Sequence, residues 1–153
     1  SGATQYYPNG AVMTYCNIFV YLFLQRLGIN IDVLLGVDWR NNKPSVYYTP
    51  ISLFLKMMET HGIADEVDFI KGQNFAKFGC PVVVIAPEKY GSDGKIIDAG
   101  HIALVYPQDE IQKNEIDVMI SGAGSRAVWG LKSCYDAFLK FGYKPRYFHI
   151  RGK

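Results

Sequence analysis

Cysteine is scarce in this chain: Cys16, Cys80 and Cys134 are the only three. They lack the close paired spacing of a zinc knuckle, which argues against a structural zinc, and they are too few for a disulfide framework. An oxidising compartment would let Cys80 pair with Cys134 and leave Cys16 as a thiol. The apolar setting of Gly79-Cys80-Pro81-Val82 instead favours buried, unpaired cysteines. An excess of charge is missing too. With 16 Lys and Arg against 14 Asp and Glu, the net charge is +2 and no basic run occurs, so neither a nucleic-acid face nor a face for an anionic membrane is indicated. Long hydrophobic runs are absent: Ile18 to Leu24 falls far short of a membrane span, and no signal-peptide pattern is present. No internal repeat or low-complexity segment appears.

What remains is apolar surface. Hydrophobic residues make up 49% of the 153, enough for one core, so residues 1–153 are expected to form a single domain with an irregular arm over 1–12. After the arm, Thr14 or its neighbour can cap a helix that begins at Tyr15-Cys16. Ile18, Tyr21, Leu22, Leu24 and Leu27 are its expected buried stripe, and Gly28 suits its C-terminal turn. Gly36 to Pro44 reads as loop, Thr49-Pro50 opens a helix to about His61, and a shorter helix covers Gln73 to Phe78. From Pro81 onward the pattern becomes β: Val82 to Ala86 as a buried strand, His101 to Tyr106, a polar connection over Pro107 to Glu115, a return strand over Ile116 to Ser121, and a final strand at Tyr147 to Ile150. A short helix is expected within Gly130 to Phe141. Helices first and an antiparallel meander afterwards give an α+β class, with N-terminal helices packed on a sheet formed by the C-terminal half.

Two residues in this pattern carry chemistry. Cys16 falls in the first turn of its helix, where unpaired backbone amides and the helix dipole favour a thiolate. His101, in Gly100-His101-Ile102-Ala103-Leu104-Val105, stands at the mouth of an apolar strand, where an imidazole can act as general base. Each also has a plainer role open to it. Cys16 can be a small core residue, and His101 can be a strand residue bonded to a carbonyl. His61 suits a charge partner at a helix C-terminus, and His149 suits a structural place in the last strand. If Tyr106 faces Ile116 across the connection, His101 lies opposite Ser121, which could then orient the ring. A slip of two would substitute Met119 or Ala123, and Asp117 is the charged alternative on the same face. Trp39, beside Arg40 and Asn41, is the candidate substrate wall, because an exposed indole can cover a sugar face. Tyr15 and Asn17, which flank the thiol, join it as substrate-binding candidates.

The helix opening on Cys16-Asn17, the Val-rich strand after Gly79-Cys80-Pro81, and Ala99-Gly100-His101-Ile102-Ala103-Leu104-Val105 together resemble the papain-like peptidoglycan hydrolases of the CHAP and NlpC kinds. The resemblance extends through Ser121-Gly122-Ala123-Gly124-Ser125 to Pro145-Arg146-Tyr147-Phe148-His149, although only the cysteine and histidine motifs are specific. It implies a papain-like fold and an amidase or peptidase that cleaves an amide bond in peptidoglycan. Cys16 would be the nucleophile, His101 its base, and a polar residue on the next strand would orient the ring. Here only Ser121 stands near that third place. The resemblance further implies no metal or organic cofactor, an exported protein in the periplasm or outside the cell, and as partners peptidoglycan or its peptide stem and an inhibitor protein. A noncatalytic wall-binding or interaction module of the same fold is the alternative. So is a cysteine acyltransferase or hydrolase acting on another amide or ester.

Overall fold

The computed structural model of the protein describes residues 5, 6, 12, 13, 16–35, 51–98, 100–123 and 128–151. Near the start, β1 (Gln5–Tyr6) pairs antiparallel with β2 (Val12–Met13), so part of the expected irregular arm forms a small ladder. The helix α1 (Cys16–Arg26) follows as expected. It closes at Gly28, whose φ of 81° is open to glycine without strain, with Gly28 N–H bonded to Gln25 O at 3.0 Å and Ile29 N–H to Leu24 O at 2.9 Å. Its buried seam is Cys16, Val20 and Leu24; of the stripe expected from sequence, Leu24 is buried and Tyr21 packs against the core, Leu22 and Leu27 are exposed, and the side chain of Ile18 lies outside the described residues. The reason is visible in the helix itself: nearly every residue is apolar, so periodicity cannot single out one face.

Next come α2 (Ile31–Leu35), started by Asn30 whose Oδ1 accepts from Val33 N–H at 3.2 Å, and α3 (Ile51–His61). The strand β3 (Ala64–Val67) leads into α4 (Phe69–Lys77), capped by Asp68, whose carboxylate accepts from Lys71 N–H at 2.8 Å. Then β4 (Val82–Ala86), the short pair β5 (Lys89–Tyr90) and β6 (Ile96–Asp98), and β7 (His101–Val105) follow. The chain continues through a 3-10 turn at Glu115–Asp117 to β8 (Met119–Ala123), β9 (Val128–Ser133), α5 (Cys134–Ala137) and β10 (Arg146–Ile150). The short helix expected within 130–141 is α5, followed by a 3-10 turn at Leu139–Phe141, while residues 130–133 belong to β9.

Six strands form one sheet in the order β3-β10-β4-β7-β8-β9, every neighbour antiparallel. The class is therefore mixed α+β, as the order of elements indicated. The arrangement is not one-sided, however. On one face Val83, Ile85, Ile102 and Leu104 pack with Cys16, Val20 and Leu24 of α1 and with Ile51, Leu55 and Met58 of α3. On the other, Val82, Val84, Ala86, Ala103 and Val105 pack with Ala76 of α4, Cys134 and Ala137 of α5, and Phe138. All five residues of β4 are buried. A continuous apolar strand of this kind, unlike an alternating one, has to be covered on both faces, and α4 and α5 provide the second cover. β3, by contrast, sits at the sheet edge with acids outward: Glu66 takes a two-point bond from Arg146, both at 2.8 Å, and Asp65 pairs with Arg151 at 3.0 Å. These pairs are exposed and worth little individually.

Gly100 fixes how β7 begins. Its φ is 71°, and a Cβ there would lie 2.5 Å from Ala86 O and 2.6 Å from Glu88 N. Only glycine admits that approach, so Gly100→Ala is expected to cost about 3 kcal/mol in a denaturant melt, from backbone strain and a forced shift of the 86–88 chain. A loss below about 0.5 kcal/mol would show that the strand starts differently.

Candidate active site

The imidazole of His101 lies on the face of Ala103 and Val105, because β7 pairs regularly with β4 through Ala86↔His101, Ile85↔Ile102 and Val84↔Ala103, and side chains alternate along a strand. Its ring meets Phe138 at a centroid separation of 4.9 Å. Burial holds its pKa at about 4, the positive charge of Lys132 on β9 pushes in the same direction, and the negative charge of Asp98 opposes both. The ring is therefore neutral near pH 7, the state in which an imidazole can accept a proton.

Asp98, the last residue of β6, is held in place from two sides. Its Oδ1 accepts from the backbone N–H of Gly100 at 2.8 Å and from the hydroxyl of Tyr143. Tyr143 follows Gly142, whose left-handed backbone (φ 79°) turns the chain back toward the sheet, and its ring meets Phe138 edge-on at 6.4 Å. Lys89 Nζ sits 5.4 Å from the same ring. Burial raises the Tyr143 pKa, and so do the hydrogen bond to Asp98 and the charge of Asp98. Tyr143 is thus bonded to the carboxylate whose charge opposes the depression of the His101 pKa.

Cys16 opens α1 as expected and is 1% exposed. It belongs to the core on the α1 face, whereas His101 points to the face of Phe138. The thiol and the imidazole therefore stand on opposite faces of the sheet, not on the single face of β7 that the pairing of nucleophile and base expects.

Ser121 does not stand opposite His101. β7 and β8 pair through Leu104↔Ser121 and Val105↔Ile120, with Tyr106 N–H bonded to Met119 O at 2.9 Å, three residues away from the register expected from sequence. An odd shift also exchanges faces, so Ser121 shares the face of Leu104, not that of the imidazole. The cause is the 3-10 turn at Glu115–Asp117, which takes up residues expected in the return strand and leaves Asp117 exposed and off the sheet. Ser121→Ala is accordingly expected to leave the amidase activity that the resemblance implies within about twofold of wild type and the melting temperature nearly unchanged. A loss of a hundredfold in steady-state rate would restore the serine to the site.

The other cysteines have different surroundings, and none of the three is in a disulfide. Tyr147 donates its hydroxyl to Glu115 Oε2 at 2.8 Å, so the Cys134 thiol, 3.4 Å from the phenol oxygen, is the donor to it. Burial pushes the Cys134 pKa up to about 11, which keeps that thiol protonated and unreactive. Cys80 is half-buried behind α4, its N–H bonded to Phe75 O at 2.9 Å. His149 stacks flat on Phe75 at 3.9 Å, and His61 ends α3. Tyr15 and Trp39 lie outside the described residues, and Asn17 stands in the first turn of α1. Among the described residues no three His, Cys, Asp or Glu side chains gather as a metal site requires. No helix among them is long and apolar enough to cross a membrane.

Sequence reasoning missed Asp98, Lys132, Phe138 and Tyr143. Asp98 stands only two residues before Gly100-His101, and that proximity was the available signal. Tyr143 and Lys132 come from far along the chain and carried none. Comparison with protein-family models, with curated proteins and with solved structures found no match.

Proposed function

We propose that the chain is a cysteine amidase or peptidase of papain-like fold that cleaves an amide bond in peptidoglycan. The observation supporting the reaction type is a neutral imidazole, His101, at the start of β7 together with a thiol, Cys16, at the start of the helix that packs on that strand. The substrate class rests on the resemblance of the cysteine and histidine motifs, and so do the peptidoglycan or peptide-stem partner, an inhibitor protein as a second partner, and an exported location. In this reading the imidazole takes the proton of the Cys16 thiol, and the thiolate attacks the carbonyl carbon. Amides at the start of α1 receive the oxyanion, the C–N bond breaks, and the imidazolium returns its proton to the leaving amine. Water then hydrolyses the thioester to release the acid and regenerate the thiol.

A noncatalytic module of the same fold is the second reading, favoured by the near-complete burial of Cys16 and by the placement of His101 on the opposite face. A thiol-reactive probe separates the two. Under native conditions the hydrolase should be labelled at Cys16 well before Cys80 or Cys134, and the preference should vanish on denaturation. Labelling confined to Cys80 would support the binding module.

A further inference from the structure

Beside α4, where the sheet ends at its edge strand β3, the surface opens into a groove of about 460 Å³ lined by Val67, Lys71, Asn74, Phe75 and Phe78. The sequence places these side chains together. Residues 71, 74, 75 and 78 recur at helical spacing, so they share one stripe of α4 and its C-cap, and Val67 ends β3 just before the capping Asp68. Phe75 is held by the His149 ring stacked on it at 3.9 Å, whereas Phe78 is 78% exposed, a large apolar side chain left in water. Lys71 is the one charged residue of the lining. Its ammonium enters no ion pair among the described residues. Asp68 turns its carboxylate to the Lys71 backbone N–H at 2.8 Å, and Asn74 spends an amide N–H on Ile70 O at 3.1 Å. Three apolar walls and one uncompensated cation are what the groove offers.

We propose that this groove binds a small monocarboxylate with an apolar body, the body lying against Val67, Phe75 and Phe78 and the carboxylate meeting the Lys71 ammonium. Its volume falls in the range of roughly 300–1,000 Å³ that small-molecule sites occupy. The charge selects an anion, and the lining contains no acid that would oppose one. Larger occupants fit poorly. The lining is far short of the roughly 20–30 residues a side that a stable protein interface uses. A strand added to β3 would meet Asp65 and Glu66, which Arg151 and Arg146 already hold, and antiparallel pairing with a second copy would set Asp65 against Glu66. The site uses neither Cys16 nor His101, so it stands apart from the hydrolase reading.

An NMR titration of the whole chain with 4-phenylbutyrate tests this, with 4-phenylbutanol as the uncharged control of the same shape. The carboxylate is expected to shift the backbone amides of 67–78 and the ring protons of His149, which report on Phe75 through the stack. Lys71→Gln is expected to weaken 4-phenylbutyrate about fivefold and to leave 4-phenylbutanol unchanged, since only the charge is lost. Phe78→Ser is expected to weaken both ligands at least about fivefold by removing an apolar wall. Both residues are exposed, so the variants should fold as the wild type does. No shift up to about 10 mM ligand, shifts centred elsewhere, or equal affinity for 4-phenylbutyrate in wild type and Lys71→Gln would each overturn the proposal.

Discussion

On the hydrolase reading, replacing Cys16 with alanine is expected to lower the rate of peptidoglycan amide cleavage by at least about a thousandfold, because that reading forms the thioester on this sulfur. The cost in stability should be small, about 1 kcal/mol, since the change removes one sulfur atom from the contact between α1 and β7. The separation between those two quantities is the point of the experiment. Initial rates of amine release and urea melts on the same preparations provide both. Cys134→Ser is the appropriate control: that thiol is buried beside Tyr147 and held protonated, so the variant should keep its activity if it folds. Cleavage by folded Cys16→Ala at the wild-type rate would remove the nucleophile from the account.

His101 should dominate the acid dependence of stability. Burial and Lys132 place its folded pKa at about 4, against about 6.5 in an unfolded chain. As pH falls below about 6.5, the unfolded chain binds a proton that the folded protein refuses, so stability declines through that window and reaches its floor below about 4. The difference of roughly two and a half units corresponds to a loss of about 3 kcal/mol at most. His149 is also depressed, chiefly by burial, and tilts the curve in the same direction. Comparing wild type with His101→Gln isolates the larger contribution: the slope of unfolding free energy between about pH 4 and 6.5 should flatten in the variant. Parallel curves for the two proteins would mean that the imidazole is not buried as described.

The strands that position the site were legible where the sequence is unambiguous. Val82 to Ala86 and His101 to Val105 are short apolar runs bounded by Pro81 and Gly100, and both are strands. The start of α1 at Cys16 was equally readable from its apolar length, while the expected cap at Thr14 or its neighbour lies outside the described residues. What the sequence could not convey is how the return strand meets β7. Residues 115–117 form a 3-10 turn instead of extending, and that local choice shifts the pairing by three, exchanging the face of Ser121. The covering of the second face was also hidden, since α5 is a single turn whose role is to bring Cys134 and Ala137, with Phe138 just after it, under the sheet. Asp98 was readable in principle from its place before Gly100-His101, whereas Tyr143 joins the site only through the fold.

Digestion of purified peptidoglycan with the folded protein, followed by mass spectrometry of the muropeptides, tests the central claim most directly. The account predicts paired products from one amide bond, a new amine and a new carboxylate differing from the substrate by one water, in the wild type and in neither Cys16→Ala nor His101→Ala. An unaltered muropeptide profile with folded wild-type protein, or equal cleavage by Cys16→Ala, contradicts it.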